Sequence, residues 1–325
     1  MNENDPYFDE YEIYEELFDS IRTDRRARRG RKPRAQHMPK KTRQQIVAEL
    51  ADETVGLEGG FNTTYQPSRH EEEWLLSSLH SFFDRGLIND VLGLIKGGKE
   101  ASVYRCQADP ATGATVLAAK VYRPRKFRNL RNDSMYRQGR AILNAYGHDH
   151  DFARDERVAR AVGKKTAFGL QVQHTSWLMH EFTAMERLYH AGAAVPQPVA
   201  ASENAILMSY HGNGTMAAPT LNQIRLVPHE AVPLFQEVLR NVHLMLQHEL
   251  IHGDLSAFNI LYWAGQVTLI DFPQVIDLHA NPNAYAVLRR DIQRTCEYFA
   301  RQGVPCDAEA VLGELWYLYG CGDYE

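Results

Sequence analysis

Apolar residues along this chain fall into two kinds of run. The short, nearly continuous ones are Leu92-Gly93-Leu94-Ile95, Val103-Tyr104-Arg105-Cys106, Val116-Leu117-Ala118-Ala119-Lys120-Val121-Tyr122, Ala205-Ile206-Leu207-Met208-Ser209-Tyr210 and Val267-Thr268-Leu269-Ile270. Runs of this length between turn residues predict strands. The longer ones repeat at helical spacing. Between Trp177 and Tyr189, Leu178, Phe182, Met185 and Leu188/Tyr189 form one apolar stripe. Ala191-Gly192 stops that helix, and Val195-Pro196-Gln197-Pro198 begins an extended segment. Glu71 to Phe83 reads as one amphipathic helix, with Ser68 as N-cap, Glu71 completing a capping box and Gly86 at its end. Tyr285 to Phe299 is another amphipathic helix.

Composition narrows the class. The 325 residues, 44% of them hydrophobic, are ample for a sizeable core plus extra segments. No apolar run approaches membrane-span length, and the acidic N-terminus does not read as a signal peptide, so a cytoplasmic protein without a membrane partner is expected. Cys106, Cys296, Cys306 and Cys321 have no metal-ligand spacing and are expected as reduced, unpaired thiols. None of the fourteen His residues falls in a metal-binding pair.

Chemistry concentrates late in the chain. Leu250-Ile251-His252-Gly253-Asp254-Leu255-Ser256-Ala257-Phe258-Asn259-Ile260-Leu261 is followed closely by Leu269-Ile270-Asp271-Phe272-Pro273. Three oxygen-bearing side chains can therefore converge, and oxygen ligands are what Mg²⁺ takes. Phosphoryl transfer requires mainly positioning and charge neutralisation. On that logic Asp254 orients the attacking group as base, while Asn259 and Asp271 are the metal ligands. A lone Asp is more often a helix cap, but two such motifs in register point to a site. His252 is expected to brace the loop through a backbone hydrogen bond.

A second constellation lies upstream. Lys96-Gly97-Gly98-Lys99-Glu100-Ala101-Ser102 is a Gly-containing hairpin whose backbone can approach phosphates, with Lys99 and the Ser102 hydroxyl in reach. Such turns alone mostly just connect strands. Lys120, single in an apolar strand, has the setting of the kinase Lys that grips the α- and β-phosphates. A buried ammonium needs a carboxylate; Glu181, beside the apolar stripe of its helix, is the expected partner and Glu186 the rival.

Taken together, these pieces resemble the RIO family of atypical protein kinases. The resemblance rests on GKEASVY (Gly98 to Tyr104), AAKVYR (Ala118 to Arg123), the AG stop followed by VPQP (Ala191 to Pro198), ILMSYHG (Ile206 to Gly212), IHGDLSAFNIL (Ile251 to Leu261) and LIDFPQVID (Leu269 to Asp277), spread over residues 85 to 305. It implies an α+β, two-lobed kinase-like fold: an N-lobe of antiparallel sheet plus an αC-like helix, and a reduced, mostly helical C-lobe. The implied boundaries are a charged extension over 1–67, a helix over 68–86 packing on the N-lobe, the N-lobe over 87–208 with a flexible loop at about 124–150, and the C-lobe over 209–325. The implied cofactors are ATP and Mg²⁺, with Mn²⁺ as an alternative ion. The implied nucleotide site comprises Lys99, Glu100, Ala101, Ser102, Val103, Ala118, Lys120, Glu181, Met208, Ser209, His211, Leu261 and Ile270, around Asp254, Asn259 and Asp271. The implied activities are protein-Ser/Thr phosphorylation, including of itself, and ATP hydrolysis through phosphorylated Asp271.

Departures from ordinary protein kinases have consequences of their own. Gly253 stands where those enzymes carry an Arg that receives an activation-loop phosphate, and Pro273 replaces a permissive Gly. Only Phe272 to Glu325 follow the metal-binding Asp, with no A-P-E sequence, so the helices that hold an extended peptide are expected to be missing. Small-molecule phosphotransferases of the aminoglycoside or choline kind share the HGD…N…IDF logic but carry a larger C-terminal subdomain. A slow, ATP-gated binding module is the non-enzymatic alternative.

The first residues are a different polymer. Glu3 to Asp19 is acidic with interspersed aromatics; Arg22, Arg25, Arg26, Arg28, Arg29, Arg31, Lys32, Arg34, Lys40, Lys41 and Arg43 then form a basic block. Charge blocks of this kind are usually disordered. The basic block is read as a contact to RNA or a ribosomal particle, against the reading of a solvated tail. The net charge of −5 gives no general nucleic-acid-binding surface.

Overall fold

In the computed structural model, residues 63–98, 100–123, 142–144, 156–164 and 166–320 are described; all lie in one unit, Gly56–Glu325. The acidic and basic blocks, Lys99 and Cys321 lie outside them. So does the expected loop at 124–150, apart from residues 142–144.

The elements in order are α1 (Arg69–Asp84), β1 (Ile88–Gly97), β2 (Ala101–Ala108), β3 (Val116–Tyr122), α2 (Glu156–Gly163), α3 (Ala167–His190), β4 (Pro198–Ala201), β5 (Ala205–Ser209), α4 (Pro228–Gln247), β6 (Leu250–Ile251), β7 (Ile260–Trp263), β8 (Gln266–Leu269), β9 (Ile276–Asp277), α5 (Ala284–Arg301) and α6 (Ala308–Tyr319). Strands β1 to β5 make one antiparallel sheet in the order β1-β2-β3-β5-β4. This sheet with α3 is the N-lobe. Helices α4 to α6 and the two ribbons β6-β9 and β7-β8 are the C-lobe. The fold is thus the two-lobed, kinase-like α+β architecture.

Alternation along β3 decides which residues face which layer, because successive side chains of a strand point to opposite sides. Leu117, Ala119 and Val121 join Leu75, Leu79 and Phe82 of α1 in one apolar cluster, together with Ile88, Val91 and Tyr104. Lys120 and Tyr122 consequently face the other way, toward α3. There Tyr122 joins a second cluster with Leu178, Met185, Leu188 and Ile206 that continues into α4, α5 and α6. Leu143 belongs to it too, its N–H bonded to Ser176 Oγ at 3.0 Å.

Two expectations are corrected. Ser68 caps α1 by position only, without a side-chain bond, so the capping box does not form. Glu71 instead accepts from the Tyr104 hydroxyl at 2.6 Å and from Tyr65 at 3.3 Å, which pins the first turn of α1 to the sheet. The thiols are not all reduced: Cys296 of α5 and Cys306, ahead of α6, form a disulfide. Cys106 is free and buried. Among the described residues no helix is long and apolar enough to cross a membrane.

Candidate active site

The β7-β8 ribbon brings the two late motifs together. Ile260 pairs with Leu269, so the residues flanking that pair, Asn259 and Ile270-Asp271, sit at one open end. The Ile270 N–H donates to Asn259 O at 2.9 Å and locks them side by side. The ribbon is anchored to the turn after α3 by Leu269 N–H to Ala194 O at 2.7 Å.

Asp254 is held by the residue five positions on. Asn259 Nδ2 donates to the Asp254 carbonyl and to its Oδ2, both at 2.9 Å. Arg294 of α5 donates to Asp254 Oδ1 at 2.8 Å, with both side chains 14% exposed. The preceding Gly253 has φ +84°, and a Cβ there would run into the Gln274 carbonyl, so only glycine fits. Its backbone is gripped by α5: Asp291 Oδ2 accepts from Gly253 N–H at 2.8 Å, and Arg290 donates to Gly253 O. Burial pushes the Asp291 carboxyl up to about 7.

Buried His252 is an internal brace. Its Nε2 meets Ile270 O at 3.1 Å, its Nδ1 accepts from Asp254 N–H at 3.3 Å, and its ring packs 4.7 Å from that of Phe272. Burial lowers its pKa, which suits a neutral ring donating from Nε2 and accepting at Nδ1.

Lys120 reaches the same place from the sheet. Its ammonium is 2.6 Å from Glu181 Oε1 and also bonds the Asp271 carboxylate. Burial works against that charge, but Asp271 and Glu181 outweigh it and hold Lys120 well above the ordinary lysine value. Burial likewise opposes ionisation of Asp271, and Lys120 reverses it, with smaller help from Lys96 of β1 and His252; the carboxyl lies below the usual range. Glu181 accepts from three donors: Lys120 and the Phe272 N–H, at 3.3 Å, on Oε1, and the Tyr122 hydroxyl on Oε2. Glu186 is exposed and takes no part. Asp271 itself has φ +72°, a conformation that costs a non-glycine residue about 1–2 kcal/mol. A strained residue held in place by its surroundings is a feature of functional sites.

The other predicted positions line up by register. Ala101, Ser102 and Val103 pair with Tyr122, Val121 and Lys120; this corrects the expectation for Ser102, whose buried side chain lies with Val121 on the α1 face and not on the side of Lys120, while a Cβ on Gly98 would lie 2.7 Å from Ala101 O. Glu100 O accepts from Arg123 N–H at 2.9 Å. Ala118 pairs with Met208, Leu117 with Ser209, and Leu261 with Thr268. His211 bridges the two lobes' strands, 3.3 Å from Ser209 Oγ and 3.4 Å from Thr268 Oγ1. Arg290, Asp291 and Arg294 were not predicted; the available signal was an acid and two bases on a helix that otherwise repeats at apolar spacing.

A kinase-like fold with Lys, Glu, Asn and two Asp converging between the lobes is the arrangement of a phosphotransferase. The RIO domain model matches residues 102–311. The chain is 31% identical over 250 residues, 76% of its length, to the RIO-type serine/threonine-protein kinase Rio1 of Haloferax volcanii, covering 74% of that protein. It is 29% identical over 227 residues to human serine/threonine-protein kinase RIO1 and covers 36% of that longer protein. The Chaetomium thermophilum Rio2 kinase, solved as its ADP/Mg²⁺-phosphoaspartate complex, has the same fold, with a TM-score of 0.51 at 21% identity over 87% of this chain and 77% of that one. The chain belongs to the RIO family and is a phosphotransferase.

Proposed function

We propose that this is a cytoplasmic, ATP- and Mg²⁺-dependent serine/threonine kinase that phosphorylates itself or a protein partner. The observation that carries the reading is the meeting of Lys120, Glu181 and Asp271 beside the Asp254–Asn259 pair. Among the described residues no group of three or more His, Cys, Asp or Glu could hold a metal by itself. Asn259 and Asp271 instead offer two oxygen donors, which fits a hard cation that takes most of its shell from phosphates and water. When bound, Mg²⁺ neutralises charge on the phosphates.

The protein's own residues do the rest. Lys120 exchanges Asp271 for the α- and β-phosphate oxygens while Glu181 keeps its ammonium in place. The backbone of 100–103 covers the phosphates, and Met208, Ser209 and His211 border the base. Asp254 takes the proton of the acceptor hydroxyl as its oxygen bonds to the γ-phosphorus and the bond to the leaving ADP breaks. The basic block over 22–43 supplies the contact to RNA or a ribosomal particle, supported by its charge density. Binding to single-stranded RNA that weakens steeply with salt, and is lost when residues 1–55 are removed, is the expected result.

The test of the site is incubation with γ-³²P-ATP and Mg²⁺, following free phosphate and protein-bound label. Acid-stable label on Ser or Thr, lost in Asp254→Ala, is expected. Free phosphate with hydroxylamine-sensitive label, lost in Asp271→Ala, would instead make this an ATPase working through an aspartyl phosphate.

A further inference from the structure

Two carboxylates of the candidate site each meet a cation: Asp271 meets Lys120, and Asp254 meets Arg294. The first pair belongs to the nucleotide machinery. The second has no such place. Arg294 comes from α5, outside the loop and strand motifs that define the site, and it reaches the carboxylate assigned to the acceptor hydroxyl.

We infer that Arg294 is a positioning residue for phosphoryl transfer, fixing the orientation of the Asp254 carboxylate; this rests on the reading of Asp254 as base. Arg294 and Asn259 take one oxygen each, at 2.8 and 2.9 Å. A carboxylate accepts at both oxygens, so a fixed donor on each sets its orientation. The cation cannot come from the residues flanking Asp254, which are Gly253, where no side chain fits, and the buried apolar Leu255. Helix α5 supplies it. Arg290 and Asp291, a turn earlier, already clamp both backbone groups of Gly253, so Arg294 at i+4 from Arg290 lies on the face turned to the loop. The helix thus fixes backbone and side chain of the loop as one body. The charge matters as well as the shape, since both partners are largely buried and a charge-assisted bond is stronger there than in water.

The experiment measures steady-state phosphorylation, with autophosphorylation and a generic basic protein as acceptors, for wild type, Arg294→Gln, Arg294→Lys and Asp254→Asn of the full chain. ATP affinity and thermal midpoint are measured on the same samples. Arg294→Gln is expected to lower kcat about 10- to 100-fold, the scale of a misplaced catalytic group, with KM for ATP within twofold of wild type. Arg294→Lys should recover part of the loss, and millimolar guanidinium, well below denaturing levels, should partly restore Arg294→Gln. Loss of ATP affinity in parallel with kcat, or a kcat loss that guanidinium and Lys leave untouched, would make Arg294 structural and overturn the inference. Full activity in Arg294→Gln with an inactive Asp254→Asn overturns this inference alone. Full activity in Asp254→Asn overturns the reading of the base beneath it.

Discussion

Lys120 carries its charge inside an apolar strand because Glu181 and Asp271 accompany it. Glu181, 2% exposed, is in turn held by Lys120, Tyr122 and the Phe272 N–H. Glu181→Gln keeps the shape but weakens a charge-assisted network, and a loss of about 1–3 kcal/mol in urea unfolding is expected, with weaker ATP binding by titration. Asp291 has the opposite problem, a carboxylate buried without enough compensation, pushed up to about 7. Its folded form therefore holds a proton that the unfolded chain releases near pH 4. The stabilisation linked to that proton is full below about pH 4 and is lost as pH rises through about 7, at most roughly 1.4 kcal/mol per pH unit. Asp291→Asn cannot titrate, so its stability deficit relative to wild type should be larger at pH 5 than at pH 8; an unchanged deficit in urea unfolding at the two values would refute this. The Lys120–Glu181 choice over Glu186 was legible in the helical stripe, because position 181 borders the apolar face. Arg294 was not legible, since nothing in a helix sequence tells which exposed-looking base will meet a loop forty residues away.

At the scale of elements, α1 contributes more than a cover. Phe82, Leu75 and Leu79 are fully buried against the sheet, and Phe82→Ala is expected to cost about 3–5 kcal/mol through lost burial and the cavity left behind. Its failed capping box has a tertiary cause: the Glu71 carboxylate gains more from the Tyr104 hydroxyl than from its own helix start. The disulfide between Cys296 and Cys306 closes a short loop between α5 and α6. Opening it with dithiothreitol, or by Cys306→Ser, should lower stability by about 2–3 kcal/mol in equilibrium unfolding; equal midpoints with and without reductant would show that the bond is not formed. Helix α3 starts at Ala167, ten residues before the predicted helical segment, where Thr166 caps it through Gly169 N–H. No helix was predicted over 228–247, although Ala231, Phe235, Val238, Val242 and Met245 of α4 mark a buried face; Pro228 and Pro233 mask it as a breaker-rich stretch.

For the whole molecule, a nucleotide held by residues of both lobes must stabilise the folded chain by linkage. Mg²⁺-ATP at about a hundred times its Kd should add roughly 2.7 kcal/mol, seen as a raised thermal midpoint, and Lys120→Met should abolish the rise. The sequence alone determined four of the five strands of the sheet, β1, β2, β3 and β5, the stripe of α3 and the two motifs ending in Asn259 and Asp271, because period and motif spacing are local properties of the chain. It also determined the family, since those motifs occur in a fixed order. Only the tertiary structure decided that Asp271 turns back onto Lys120, that α5 grips Gly253 and Asp254, that Glu71 serves the sheet, and that Cys296 meets Cys306. Each of these is a contact between segments far apart in the chain or in different elements, where burial and competition among partners choose the bond, and no local pattern encodes that choice.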